Sequence, residues 1–129
     1  NKSILKNLAT LRKKTGHTIP KMHFITSQLN AWLKNDLWLK LAKNSNQIAL
    51  DLRFDLEKFK EFKFIFPTQG NEIFAKISSE FLKKLNSKNI FPKVWEYDNK
   101  NVIIRIVTSF KMNNDIIKDI VDRIKTIVE

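Results

Sequence analysis

The stretch Val102-Ile103-Ile104-Arg105-Ile106-Val107 decides how this chain is read. Its β-branched residues predict a strand. An apolar run at both odd and even positions predicts a central strand, buried on both faces. Alternation places Arg105 on the same face as Ile103 and Val107. A guanidinium keeps its charge at any relevant pH, so in such a strand it must meet an anion or reach water. Two readings follow. One is an ion pair with Asp or Glu at a sheet edge. The other is bidentate capture of a substrate carboxylate. Pattern alone favours the ion pair, because paired arginines are the commoner kind.

Outward from this strand the pattern is regular. Asp98-Asn99 predicts a turn that links it to a strand around Val94-Trp95-Glu96-Tyr97. Downstream, Asn113, Asn114 and Asp115 start a helix carrying Ile116, Ile117, Ile120, Val121, Ile124 and Ile127 on one side. Upstream, Phe62, Phe64 and Phe66 alternate as a strand, Pro67 to Gly70 form a loop, and Asn71 to Ile77 form a second strand. Ser78 or Ser79 caps a helix bearing Phe81, Leu82 and Leu85, and Asn89 ends it in a left-handed conformation. The order is strand, strand, helix, strand, strand, helix. Each strand pair joined by a short turn should be antiparallel, with the helices on one face. The expected fold is α+β, a short, mostly antiparallel sheet in a small two-layer domain.

The first half reads as helical. Ile4, Leu5, Leu8 and Leu11 space a helix over 3–14, capped by Ser3. Gly16 and Pro20 bracket a loop, and Met22, Ile25, Leu29 and Trp32/Leu33 space a second helix over 21–34. Asn35-Asp36 stops it and starts a third helix, from Leu37 through Leu56 and as far as Phe59. These helices have no sheet of their own. They need other protein to pack against, and the chain opens on Asn1, so it is expected to be part of a longer polypeptide. The expected division is 1–48, a helical connection and basic loop, and 49–129, a small C-terminal domain.

Composition removes several function classes. With no cysteine there are no disulfides, thiolate metal sites or cysteine nucleophiles, and two histidines, His17 and His23, do not make a metal cluster. No apolar run approaches the roughly 20 residues of a membrane span. The net charge of +11 raises the alternative of a basic, non-catalytic nucleic-acid-binding module. Against it, arginine occurs only at 12, 53, 105 and 123, and the lysines are spread along nearly every segment, where phosphate readers cluster their cations beside exposed aromatics. The lysines are therefore expected to be a solvated surface, with no nucleic-acid partner.

A second candidate for anion contact is the loop from Arg12 to Lys21, with Lys13, Lys14 and Lys21 around Gly16. A solvated basic turn is the competing reading and fits the pattern better. His17 either meets a phosphate or faces solvent, and His23 reads as structural. Trp32, Trp38 and Trp95 are expected as core anchors. Asp51 and Asp55, four apart on a lysine-rich helix, are expected at the surface. No complete catalytic constellation is present.

In order, these pieces resemble the C-terminal part of the threonine aldolase and aromatic amino acid β-eliminating lyase family, of the fold-type I pyridoxal-phosphate enzymes. Leu11-Arg-Lys-Lys-Thr-Gly-His-Thr-Ile-Pro-Lys-Met-His-Phe24 resembles the family's basic Arg-Lys…Gly-His…Lys-Met segment. Gln28-Leu-Asn-Ala-Trp-Leu-Lys-Asn-Asp-Leu-Trp-Leu39 is similar to its helix and Asp-Leu-Trp-Leu restart. Asn71-Glu-Ile-Phe74 resembles the Asn-x-x-Phe that opens a family strand, and Val102-Ile-Ile-Arg-Ile-Val-Thr-Ser109 resembles its Arg-Leu-Val-Thr/Cys-Ser element. Pro20 and Asn89 depart from the family's basic residue and glycine at those places.

The resemblance implies a small domain of a larger lyase, preceded by helices that pack on a large domain. It implies pyridoxal 5'-phosphate as cofactor and low-specificity L-threonine aldolase activity, threonine giving glycine and acetaldehyde by retro-aldol cleavage. Another fold-type I enzyme, such as a transaminase or desulfurase, is the nearest alternative. Arg105 matches the arginine that binds the amino-acid carboxylate. Lys13 and then Lys21 match the segment near the cofactor phosphate, often reached from a neighbouring subunit. The family's Schiff-base lysine lies upstream, so no catalytic residue is assigned and this chain alone should be inactive. The expected full protein is a cytoplasmic dimer or tetramer with a small amino-acid substrate and no membrane association.

Overall fold

The structure, a computed structural model, describes residues 2–129 apart from the side chain of residue 3; the expected Ser3 cap therefore lies outside the described residues. The chain forms two compact units, Asn1–Trp38 and Leu39–Glu129.

The first unit is helical. α1 (Lys2–Lys14) and α2 (Met22–Leu33) are followed by a short 3-10 turn at Lys34–Asp36. α1 ends in two capping hydrogen bonds, Gly16 N–H to the Lys13 carbonyl at 3.2 Å and His17 N–H to the Arg12 carbonyl at 2.9 Å. This geometry puts Gly16 at φ 73°, a left-handed position that a residue with a Cβ enters only with strain. The glycine is thus explained by the helix end. Asn35 and Asp36 both take positive φ, which interrupts the helix where the sequence predicted a stop. α2 contains no buried residue, and Leu5, Leu8 and Leu11 of α1 are exposed.

In the second unit, α3 (Leu37–Leu56) leads into β1 (Lys63–Phe64), β2 (Glu72–Ser78), α4 (Ser79–Ser87), β3 (Lys93–Asp98), β4 (Asn101–Val107) and α5 (Asn114–Val128). The strands lie in the order β1-β2-β4-β3, and every pairing is antiparallel. Ile73, Ala75 and Ile77 of β2 and Val102 and Ile104 of β4 are buried on one face of the sheet. They share a core with Leu52 and Leu56 of α3, Phe81 and Leu85 of α4, and Ile117, Val121 and Ile124 of α5. This is the small α+β domain that the strand and helix order predicted.

Local chemistry sets the boundaries. The Ser78 hydroxyl accepts the Phe81 N–H at 3.0 Å, and the Asn113 side chain accepts the Ile116 N–H at 3.1 Å, so both helices begin at side-chain caps. Asn89 takes φ 58° after α4, as predicted. β1 is shorter than the Phe62–Phe66 alternation suggests. Phe62 N–H is spent on a turn back to the Phe59 carbonyl at 3.2 Å, and Pro67, which has no N–H, follows Phe66. α3 stops at Leu56 rather than reaching Phe59, because a turn from the Phe59 N–H to the Leu56 carbonyl replaces the last helical step.

One expectation about β4 fails. The strand is central, but only one of its faces is buried. Ile103 and Arg105 are half-buried and Val107 is 48% exposed. Within this unit α3, α4 and α5 all supply the same core, so the second sheet face has no layer of its own. An apolar run in sequence cannot tell a strand covered twice from one whose second face is left for something else.

Candidate functional site

Arg105 lies on that open face. It stands directly opposite Phe74 of β2 and Lys93 of β3. Its Nη1 donates to Oε1 of Glu72 at 3.3 Å, and its Cζ lies 5.0 Å from the centroid of the Trp95 ring. The side chain keeps 30% of its surface exposed. The ion pair that pattern favoured is therefore present, but as one long contact to a partly exposed acid. A guanidinium has five N–H donors. Among the described residues no second hydrogen bond engages this one, and its Nε is buried without a partner. What Glu72 leaves free is a cationic fork beside an aromatic wall.

The wall comes from a bulge. The β3–β4 register shifts between Val94 and Glu96, which leaves Trp95 as the extra residue. Phe74 meets the Trp95 ring edge-on at 5.6 Å and the Phe66 ring edge-on at 5.7 Å. Trp95 is 58% exposed, so it is no core anchor; Trp32 and Trp38 are also exposed, at 50% and 40%. Sequence assigned all three indoles to the core because large rings usually go there. A bulge follows from register, which a single strand does not reveal.

Glu72 is held in place from behind. Thr108 N–H donates to the Asn71 carbonyl at 2.9 Å, and Asn71 Nδ2 donates to the Thr108 carbonyl at 2.9 Å. The buried Thr108 hydroxyl donates to the Ser45 carbonyl of α3 at 2.7 Å. This clasp fixes the start of β2 to the end of β4, and so fixes Glu72 beside Arg105.

Lys13 and Lys21 belong to the first unit, and Arg105 belongs to the second. Lys13 is exposed in the last turn of α1. Lys21 is exposed in a left-handed conformation, φ 59°, just before α2. Neither makes an ion pair among the described residues. His17 lies with Nδ1 2.7 Å from the Thr15 hydroxyl. His23 is exposed beside Phe24, with ring centroids 4.2 Å apart, rather than structural in a core. Asp51 accepts from Gln47 and Asp55 pairs with Lys58, which makes both local helix partners.

The sheet's other side also holds a cavity of about 410 Å³, lined by Leu52, Leu85, Ile104, Ile106, Met112 and Ile124 among others. Arg105 borders it from its place in β4, but its guanidinium is engaged on the opposite face with Glu72 and Trp95. Lys93 and Val107 border it too, at the start of β3 and the end of β4. Among the described residues no group of three or more His, Asp or Glu is placed to hold a metal ion, and no helix is long and apolar enough to cross a membrane.

The cations fit a phosphorylated cofactor in part. Lys13 and Lys21 are exposed and unpaired, which suits contact with a phosphate. Every described lysine is exposed except Lys76, which is half-buried and paired with Asp98. None has the desolvated surroundings that favour a neutral, nucleophilic amine able to anchor the cofactor's aldehyde.

By fold, the second unit belongs to the small α+β domains with an antiparallel sheet under helices. No family model matches the sequence, and no curated protein matches it. Among solved structures the chain is similar to the threonine aldolase of Leishmania major, at a TM-score of 0.67 and 24% identity, over 79% of this chain and 30% of that one. The likeness establishes a threonine aldolase-like fold. The chain spans 30% of the length of the protein it matches.

Proposed function

We propose that this chain is the C-terminal part of a pyridoxal-phosphate-dependent lyase, a low-specificity L-threonine aldolase. In this reading residues 1–48 close a large domain, 49–129 form the small domain, and the full protein is a cytoplasmic homo-oligomer. The observation that carries it is Arg105: a guanidinium with one loose acid partner, on the uncovered face of a sheet whose fold is shared with a threonine aldolase. The exposed apolar side chains of α1 and α2 support it too, since they suit burial against further protein.

Arg105 binds the substrate carboxylate through the donors that Glu72 leaves free and through Nη1, for which the carboxylate competes with Glu72. Its planar fork fixes the direction of the carboxylate as well as its charge, and so turns the Cα substituents to a set angle. Trp95 and Phe74 limit where the fork can swing and keep water from one side of it. Lys13 and Lys21 hold the cofactor phosphate, across a subunit boundary or within one subunit. When bound, pyridoxal phosphate supplies the electron sink for breaking the Cα–Cβ bond.

The test is steady-state kinetics on the full-length polypeptide that carries this chain, supplied with pyridoxal phosphate and L-threonine. Glycine and acetaldehyde should form in equal amounts. Arg105→Lys keeps the charge and loses the fork, so kcat/KM should fall by about tenfold or more, the cost of one charge-assisted hydrogen bond. Unchanged kinetics in that variant would remove the assignment.

A further inference from the structure

Lys93 stands directly opposite Arg105 in the β3–β4 ladder. Directly opposed residues point to the same face, with Cβ atoms about 5 Å apart, and like charges in that relation destabilise a sheet. Val94, the next residue, is packed against the core, so alternation puts Lys93 on the open side, and Lys93, like Arg105, also borders the cavity. Lys93 is exposed and makes no ion pair among the described residues.

The acids of this face do not resolve the clash. Glu72 is taken by Arg105 and Asp98 by Lys76. Glu96 pairs with Ile103, beyond the bulge at Trp95, and no ion pair joins it to Lys93. Lys93 and Arg105 thus stand at opposed positions of the β3–β4 ladder, and the acid that meets Arg105 comes from β2, on the far side of β4 from Lys93. A surface with no use for an anion gains nothing from this arrangement, whereas a bound anion converts the repulsion into attraction from both sides.

We propose that Lys93 is the second cation of the carboxylate site, and that an amino-acid carboxylate sits between its ammonium and the Arg105 fork. The inference rests on the reading of Arg105 as the carboxylate-binding residue, and it adds a residue that nothing in the sequence pattern marked. Arg105 sets the direction of the carboxylate. Lys93 adds charge without direction, so Arg in its place should serve as well and a neutral residue should not.

The test titrates the full-length polypeptide that carries this chain, without pyridoxal phosphate, with L-threonine, and separately with L-threoninol, which lacks the carboxylate. The readout is the Trp95 indole N–H signal in NMR, assigned by its loss in Trp95→Phe. L-threonine should shift the signal saturably and L-threoninol should not. Lys93→Gln should weaken L-threonine binding about threefold to fivefold, the scale of an exposed charge contact. Lys93→Arg should restore it, Glu96→Gln should leave it unchanged, and Arg105→Gln should abolish it. Loss with Arg105→Gln but none with Lys93→Gln overturns the role of Lys93 and leaves the Arg105 reading standing. No carboxylate-dependent shift in the unsubstituted chain, or a shift that survives Arg105→Gln, overturns both.

Discussion

Asn71 and Thr108 hold each other by reciprocal hydrogen bonds, 2.9 Å in each direction, one from a backbone N–H and one from a side-chain amide. The pair closes the ends of the two central strands, and the Thr108 hydroxyl adds α3 to the same junction through the Ser45 carbonyl. Thr108 is 2% exposed and its hydroxyl bond to the Ser45 carbonyl is buried, so water does not readily replace that bond when it is lost.

Thr108→Val keeps the shape and removes the hydroxyl. It leaves the buried Ser45 carbonyl without that donor, and should destabilise the chain by about 1–3 kcal/mol. Urea unfolding followed by circular dichroism measures this. A change within about 0.5 kcal/mol, as for an ordinary surface site, would show that the junction carries little stability.

Truncation should separate the two units. Leu52→Ala removes a side chain that is 1% exposed and shared by helices and sheet, and should cost about 2–5 kcal/mol. Leu8→Ala in α1, where the side chain is 48% exposed, should change stability by no more than about 0.5 kcal/mol. Chemical denaturation of both variants makes the comparison. Equal costs would mean that α1 is packed in solution.

Glu72 and a ligand carboxylate would compete for the same guanidinium. Glu72→Gln removes the internal competitor and keeps the side-chain size. Carboxylate binding at Arg105 should therefore tighten, by about threefold for a partly exposed pair. The same Trp95 NMR titration reads it. Weaker binding would show that Glu72 positions Arg105 instead of competing for its donors.

Asp122 and Lys125 form an exposed pair on α5, at 2.8 Å. The hydrogen bond from Lys125 holds the Asp122 carboxyl below its ordinary value, and the same bond raises Lys125. Because Asp122 is lowered in the folded state, its contribution is present above the ordinary aspartate value. It is lost as pH falls through the folded midpoint. Lys125→Met should move the Asp122 midpoint upward in a carbon-detected NMR titration. No movement would mean the pair does not persist in water.

The elements of the second unit were legible because their signals are local. Ile73, Ala75 and Ile77 alternate, Ser78 and Asn113 cap, Asn89 turns left-handed, and each of these rests on one residue and its near neighbours. The site was half legible. Arg105 stood out as one cation in an apolar strand, but its neighbours Glu72, Trp95 and Lys93 come from other strands. They lie 33, 10 and 12 positions away in sequence. Their meeting depends on register and on a bulge, which no single segment encodes.

By itself, then, the sequence determined the succession of helices and strands, their caps, and the presence of an obligate charge in β4. Periodicity and capping are short-range properties of the chain, and a guanidinium cannot discharge. Only the tertiary structure decided that β4 is covered on one face, that Trp95 leaves the core to stack on Arg105, and that Lys93 stands across from it. Those outcomes depend on which strands pair and in what register, a balance struck between distant segments when the core closes.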